Sequence, residues 1–247
     1  MVLLLNGDCL EEMKSLEDNS IDLIFCDLPY GVLNCKWDCP IDLELFWKEV
    51  MRIKKLNCPV FMTTTTKFGI SLINSCPKKC PFRYDLCWEK SQPAGFLSSH
   101  IQPLRSHEMI YVFYEKKPFY DLSSHKHKFK NSDNGENTIN TIYGDDVKVP
   151  NYVNKRNKKT GYSAYDPPLP RSVLSIKSTK RKHQTEKPVE LIEWILKYFS
   201  REGDLILDPT MGSGSCGKAC ENMGRDFIGI ELDKEIYDKA CDRIKIK

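Results

Sequence analysis

The chain contains no long apolar run. Its opening stretch, Met1 to Leu5, is apolar but stops at Asn6-Gly7-Asp8. That is too short for a secretory leader and far too short to cross a bilayer, so the protein is expected in the cytoplasm. An even set of cysteines is also missing. The 11 present lie mostly in apolar stretches, as at Cys26, Cys58, Cys87, Cys220 and Cys241. A thiol there packs as a small hydrophobe, which fits reduced cysteine in a reducing compartment. Histidine is scarce, at five. Cys35/Cys39 and Cys76/Cys80 share a spacing that zinc tolerates, but each pair is crowded by proline and no His-rich segment stands nearby, so no metal is expected. No internal repeat is visible.

What is present suits one sizeable α/β domain: 247 residues, 40% hydrophobic and 29% charged. The net charge of +3 conceals an asymmetry. Lys116 to Lys182 holds 15 Lys and Arg against 6 Asp and Glu, a net +9, and the remainder carries −6. A basic segment on a mildly acidic body is the footprint of a polyanion partner; a solvated loop would also carry such charge. The segment is rich in Asn, Ser, Lys and Gly, shows little periodicity and ends in Pro167, Pro168 and Pro170. It reads as an irregular insertion.

Elsewhere strand-like runs alternate with helical ones. Ile21 to Cys26, Pro59 to Thr65, Tyr84 to Trp88 and Met109 to Tyr114 are strand candidates. Asp42 to Ile53 has helical spacing with Asp42 as its cap. After the insertion come a helix over Glu190 to Phe199, a strand over Asp204 to Leu207, a helix from Ser215 to Met223, a strand over Phe227 to Ile230 and a helix from Lys234 to Ile244. This alternation predicts a mostly parallel sheet covered on both faces.

Two turns carry chemistry. The first is Asp208-Pro209-Thr210-Met211-Gly212-Ser213-Gly214-Ser215, between a strand and a helix, with Glu231 at the tip of the next strand. Glycine lets a ligand approach the backbone, and a strand-tip acid can accept both hydroxyls of a ribose. Gly212, Gly214 and Gly217 also satisfy G-x-G-x-x-G, which alone suggests a dinucleotide. However, Asp208 places a negative charge where a pyrophosphate would sit. A cofactor bearing an ammonium and a sulfonium, S-adenosylmethionine, suits the acidic loop better. The second turn is Asp27-Leu28-Pro29-Tyr30. An exocyclic amine on a base is a poor nucleophile because its lone pair is delocalised into the ring. A carboxylate (Asp27) and a turn carbonyl (Leu28) that accept its two N–H protons localise that pair. Tyr30 can stack on the base, worth ~1–3 kcal/mol. Such a base must first leave the duplex. Taken alone, the segment reads better as an ordinary β-turn; the glycine loop in the same chain reverses that.

Together the two turns resemble the β class of amino-group DNA methyltransferases, in which an Asp-Pro-Pro-Tyr turn precedes a target-recognition segment and a Gly-rich cofactor loop comes last. Trp88-Glu89-Lys90, Arg105 to Glu108 and His183 to Pro188 also look like that family. The resemblance implies a Rossmann-like α/β sheet of seven strands, mostly parallel with one antiparallel, and a basic target-recognition insertion. Residues 1–115 and 183–247 would form the methyltransferase domain, and residues 116–182 the insertion. It implies Asp27, Leu28, Pro29 and Tyr30 as catalytic residues. It implies Asp8, Cys9, Asp27, Thr185, Lys187, Asp208, Pro209, Thr210, Gly212, Ser213, Gly214, Glu231 and Leu232 around S-adenosylmethionine. Asp8 would meet the adenine, and Thr185 and Lys187 the methionine end. Leu28 departs from the usual proline, but a backbone carbonyl is what that position supplies. Asp at position 27 favours N6 of adenine over N4 of cytosine. The partner implied is double-stranded DNA. A homodimer and a cognate restriction endonuclease are further partners that the family allows. Competing readings are a cytosine-N4 or RNA methyltransferase, an inactive nucleic-acid-binding module and a dinucleotide-dependent oxidoreductase.

Remaining residues have plainer expectations. Trp88 reads as core, Arg105 and Glu108 as an ion pair near the base pocket, and His107 as a buried, satisfied histidine. His125 and His127 sit among lysines, where they would contact phosphate or belong to a solvated loop. Lys155 to Lys159 and Lys177 to Lys182 are the candidate phosphate contacts.

Overall fold

A computed structural model describes residues 1–29, 40–127, 137–138, 148–149, 165–178 and 186–244. The strands are β1 (Val2–Asn6), β2 (Leu23–Cys26), β3 (Val60–Thr64), β4 (Phe82–Ala94), β5 (Arg105–Phe113), β6 (Lys126–His127), β7 (Asn137–Thr138), β8 (Lys148–Val149), β9 (Tyr165–Asp166), β10 (Val173–Ser175), β11 (Leu205–Asp208) and β12 (Asp226–Glu231). The helices are α1 (Cys9–Glu12), α2 (Leu43–Ile53), α3 (Thr66–Ser75), α4 (Val189–Phe199), α5 (Ser215–Met223) and α6 (Lys234–Arg243).

The described chain divides into two compact units. One comprises Met1–Asp121 with Ser172–Lys247, the other Leu122–Arg171. The larger is built on an eight-stranded sheet in the order β1-β12-β11-β2-β3-β5-β4-β10. Every neighbouring pair is parallel except the two that β5 makes, with β3 and with β4, so β5 alone runs backwards. The resemblance implied seven strands; the eighth is β10, a three-residue edge strand paired with β4. It escapes a reading by periodicity because only Leu174 of its three side chains is buried. In the smaller unit β6 pairs with β9 and β7 with β8, both antiparallel.

The central strands β2, β3 and β11 are near-continuous apolar runs because helices cover both faces of the sheet. On one face α2 buries Phe46, Trp47, Val50 and Ile53, and the Trp47 ring meets Phe113 of β5 edge-on at 5.2 Å. On β3, Phe61 meets Phe199 of α4 at 5.0 Å. Caps fix where the helices start. Asp42 accepts from the amides of Glu44 and Leu45 at 2.9 and 3.1 Å, Thr65 accepts from Phe68, and Asp233 accepts from Glu235 and Ile236. Pro188 stands just ahead of α4, where its missing N–H costs nothing.

Among the described residues no helix is long and apolar enough to cross a membrane. No group of three or more His, Cys, Asp and Glu residues among them is arranged to hold a metal. Cys35 and Cys39 lie outside the described residues.

Candidate active site

Parallel strands bring their carboxyl ends to one edge, and both sequence turns stand there. Ile206 and Leu207 of β11 pair with Leu23 and Ile24 of β2, so Asp208 and Asp27 leave adjacent strands together. The Thr210 hydroxyl donates to the Asp27 carbonyl at 3.2 Å, tying one turn to the other. On the far side of β11, Asn6 pairs with Glu231 across β1 and β12. The Gly7 amide and the Asn6 side-chain amide both donate to the Glu231 carbonyl. Asp8 follows as the cap of α1, accepting from the Leu10 amide at 2.8 Å, with Cys9 buried behind it.

The glycine loop is shaped by its own backbone. Gly212 and Gly214 have φ of +52° and +79°, a region that L side chains rarely adopt. A Cβ on Gly214 would lie 2.8 Å from Ile244, so close packing of α6 also demands glycine there, whereas a Cβ on Gly212 would meet nothing within 4 Å. Open space therefore faces the loop at Gly212. The Gly212 amide donates to the Glu231 carboxylate at 3.0 Å, and Glu231 also accepts from Asp233 at 2.9 Å. A carboxylate holds that amide where a dinucleotide fold would offer it to a diphosphate. Pro209 is buried and Ser213 half-buried. Arg243 of α6 donates to the Ser213 carbonyl and hydroxyl at 3.2 Å. Leu232 is exposed.

Charge is concentrated here. Asp208 is 4% exposed. Burial pushes its carboxyl well above the usual carboxylate range, against the Thr210 amide that pulls it down. Burial likewise raises Glu231, opposed by the Asp233 and Gly212 amides. Burial also pushes the Cys9 thiol up to about 12, so it stays protonated at neutral pH. These acids, with open space beside Gly212, fit an adenosine cofactor that carries positive charge and no phosphate. Glu231 would hold its ribose, and Asp208 would face its cationic portion.

The main addition from the structure concerns the segment before α4. The Lys187 ammonium, 8% exposed, lies 2.5 Å from one Asp27 carboxylate oxygen and 3.8 Å from Glu108. The Thr63 hydroxyl at the end of β3 donates to the other Asp27 oxygen. Glu108 in turn faces Lys90 at 3.1 Å. Burial alone would lower the Lys187 ammonium, but Asp27 and Glu108 beside it raise it above the ordinary lysine value. Glu186, the preceding residue, pairs with Arg243 at 2.6 Å and accepts from Ser215 at 3.2 Å. That clamp aims Lys187 at Asp27. The resemblance assigned Lys187 to the methionine end of the cofactor; the geometry gives it the Asp27 carboxylate as its direct partner.

Leu28 is buried among the core side chains beside the sheet, and Pro29 is half-buried. A buried apolar position explains why leucine is accommodated there. Tyr30 and Thr185 lie outside the described residues, as do residues 155–159 and 179–182 among the expected phosphate contacts; Lys177 is described and exposed. Glu108 is placed with Lys187 and Lys90 in place of the expected Arg105 pairing, and Arg105 donates to the His107 carbonyl at 3.2 Å. His107 is exposed, not buried, because the strand pair extends past the sheet body at that point. His125 is buried, with a ring nitrogen 2.9 Å from the Pro167 carbonyl, so it is a structural residue of the smaller unit. Trp88 is buried as expected and donates its indole N–H to the Ile176 carbonyl at 2.8 Å. Thr63 carried no sequence signal: it lies within an apolar strand, and only the pairing of β3 with β2 brings it beside Asp27.

Comparison with known proteins agrees with this arrangement. The profile of a family described as DNA methylase, of the N6/N4 type, matches residues 21–242. The type II methyltransferase M.HpaI of Haemophilus parainfluenzae is 26% identical over 98% of this chain and 73% of its own length. The DNA adenine methyltransferase YhdJ of Escherichia coli K12 is 24% identical over 98% of this chain and 82% of its own. Among solved structures, the M1.HpyAVI complex with S-adenosylmethionine superposes with a TM-score of 0.67 at 20% identity, covering all of both chains. The cytosine-N4-specific PvuII DNA methyltransferase gives 0.69 at 14% identity, covering all of this chain and 87% of that one. These structural likenesses establish the fold. The family match runs through the Asp27 turn and the Asp208 loop alike, and the chain belongs to the N6/N4 DNA methylase family, enzymes that transfer the methyl group of S-adenosylmethionine to an exocyclic amino group of a DNA base.

Proposed function

We propose that this protein methylates N6 of adenine in double-stranded DNA at a specific sequence. The observation that carries this reading is Asp27 at the carboxyl end of β2, whose backbone carbonyl accepts from Thr210 of the glycine loop, the same loop that Glu231 holds through the Gly212 amide. In this reading Asp27 accepts a hydrogen bond from one N–H of the target amine and the Leu28 carbonyl from the other, which localises the nitrogen lone pair. Thr63 and Lys187 fix the carboxylate so that the amine need not reorganise it, and positioning of this kind supplies much of the rate. Tyr30 stacks on the extruded base. Asp8, Asp208, Gly212 and Glu231 hold the cofactor, whose sulfonium supplies an electrophilic methyl group. The basic segment 116–182 contacts backbone phosphates and carries the sequence selection. A cognate restriction endonuclease, a homodimeric assembly and a cytoplasmic location complete the proposal. The endonuclease is suggested by the relatives named type II methyltransferases, the homodimer by the family resemblance alone, and the location by the DNA substrate.

The test is transfer of labelled methyl from S-adenosylmethionine to unmethylated DNA, followed by nucleoside analysis and sequencing of the modified sites. Label in N6-methyldeoxyadenosine is expected. Label in N4-methyldeoxycytidine, or only in RNA, would replace the adenine reading. Asp27→Ala is expected to abolish transfer while leaving cofactor binding within about threefold; loss of both would mean that Asp27 mainly holds the cofactor.

A further inference from the structure

β4 and β5 pair in register from Tyr84 and Val112 to Glu89 and His107, then continue to Ala94 and Arg105 with a register shift. Trp88 and Glu108 mark the carboxyl edge of the sheet, because Thr64 at the end of β3 pairs with Met109. Everything beyond that level stands outside the sheet body on the Asp27 side. From Glu89 to Ala94 the strand runs roughly 16 Å at ~3.3 Å per residue. Gly95, with φ of +92°, then turns it into a short 3-10 segment at Phe96–Ser98. At this tip Phe96 is 64% exposed, Leu97 96% and Ile101 74%. Three large apolar side chains at one loop tip are not scattered surface residues. Between Glu89 and Glu108 the chain has no Asp or Glu but carries Lys90, His100, Arg105 and His107.

We infer that this arm is a wedge, and that Leu97, flanked by Phe96 and Ile101, enters the duplex where the target base has left it. The inference rests on the proposed DNA methylation and adds the element that lowers the cost of extrusion. An extruded base leaves a gap lined by base faces, and apolar side chains are what proteins place between base steps. The arm meets three requirements at once. Its root is Glu108, which faces the Lys187 that holds Asp27. Its tip is apolar and stands past the sheet edge at which Asp27 lies. Its flanks are free of negative charge, which suits passage between phosphate backbones.

The experiment uses the full chain and two synthetic duplexes that contain the methylation site found by sequencing. One is fully paired; the other has an abasic position opposite the target base, so that extrusion needs no unpairing. Phe96→Ser/Leu97→Ser should lose at least tenfold in kcat/KM on the paired duplex and less than twofold on the abasic one. Leu97→Met should stay within twofold of wild type on both. With 2-aminopurine at the target position of the paired duplex, the fluorescence rise on binding should fall by at least half in the double variant. Equal losses on the two duplexes, or no loss on either, would overturn the wedge. So would a change in the sedimentation of the DNA-free double variant, which would instead assign the tip to contact with a second copy. Absence of label in any DNA in the transfer assay that precedes the sequencing would overturn the methylation reading and this inference with it; transfer by wild type with an unaffected variant overturns the wedge alone.

Discussion

Replacing Lys187 by methionine keeps most of the side-chain volume and removes only the charge between Asp27 and Glu108. Two unit charges 2.5 Å apart attract by roughly 6–7 kcal/mol at an effective dielectric constant of about 20. Most of that offsets the desolvation of both groups. Removing one partner of a buried pair typically costs ~3–5 kcal/mol, because the other charge stays behind. Asp27 keeps the Thr63 hydroxyl and is partly exposed, so the cost falls at or just below that range: ~2–3 kcal/mol, or ~5–10 °C in Tm for a domain of this size. The assay is a double-mutant cycle of thermal unfolding at pH 8 with Lys187→Met, Asp27→Asn and the double variant. The double variant should recover at least ~1.5 kcal/mol relative to the sum of the singles. Additivity within ~0.5 kcal/mol would refute a direct Asp27–Lys187 pairing. The pH dependence has a fixed sign. A lysine raised above its ordinary value contributes stability that is complete below about pH 10.4 and lost as pH climbs through its folded-state value. The difference between wild type and Lys187→Met should therefore be flat from about pH 7 to 9 and shrink in strong alkali. In methyl transfer, Lys187→Met should lower kcat at least ~30-fold, with less than about tenfold change in the KM for S-adenosylmethionine.

Asp208→Asn should raise stability by ~1–2 kcal/mol at pH 8, because a buried carboxyl raised above its ordinary value binds more protons folded than unfolded. The gain should fade as pH drops through the raised value, while cofactor affinity measured by calorimetry falls at least tenfold; an unchanged affinity would remove Asp208 from the cofactor set. The loop glycines should separate two effects. Gly214→Ala should cost ~2–4 kcal/mol in denaturant unfolding, since its Cβ would strike Ile244 at a positive φ. Gly212→Ala should cost only ~1 kcal/mol of backbone strain but weaken the cofactor at least tenfold, because its methyl group enters open space. Equal effects of the two on stability would contradict the described loop.

The parts of the fold that alternate apolar runs with capped helices were legible in the sequence. Asp42 as a cap, α5 from Ser215 to Met223, and Lys187-Pro188 ahead of α4 all appear where local chemistry puts them. That Asp27, Asp208 and Glu231 would stand together at strand tips was legible because each lies where an apolar run meets turn residues. Less legible was what depends on which strands become neighbours. β1 is four apolar residues and Asn6, and its strand state comes from pairing with β12. The length of β4 and β5 is hidden because their outer halves bury nothing and show no alternation. Thr63 and Glu108 gain meaning only when β3 and β5 bring them beside the Asp27 turn and Lys187. The expected partner of Glu108 fails for that reason: Arg105 is near in sequence, whereas Lys187 arrives from a segment beyond the insertion.

Arg243 has a wider consequence than its local hydrogen bonds. One guanidinium grips the backbone at Ser213 and, through Glu186, the segment that delivers Lys187. With the proposed site residues, donor affinity and the alignment of the acceptor carboxylate would share one fastening. Under that reading, any change that loosens it would move both quantities together, so neither could be tuned through this residue in isolation from the other.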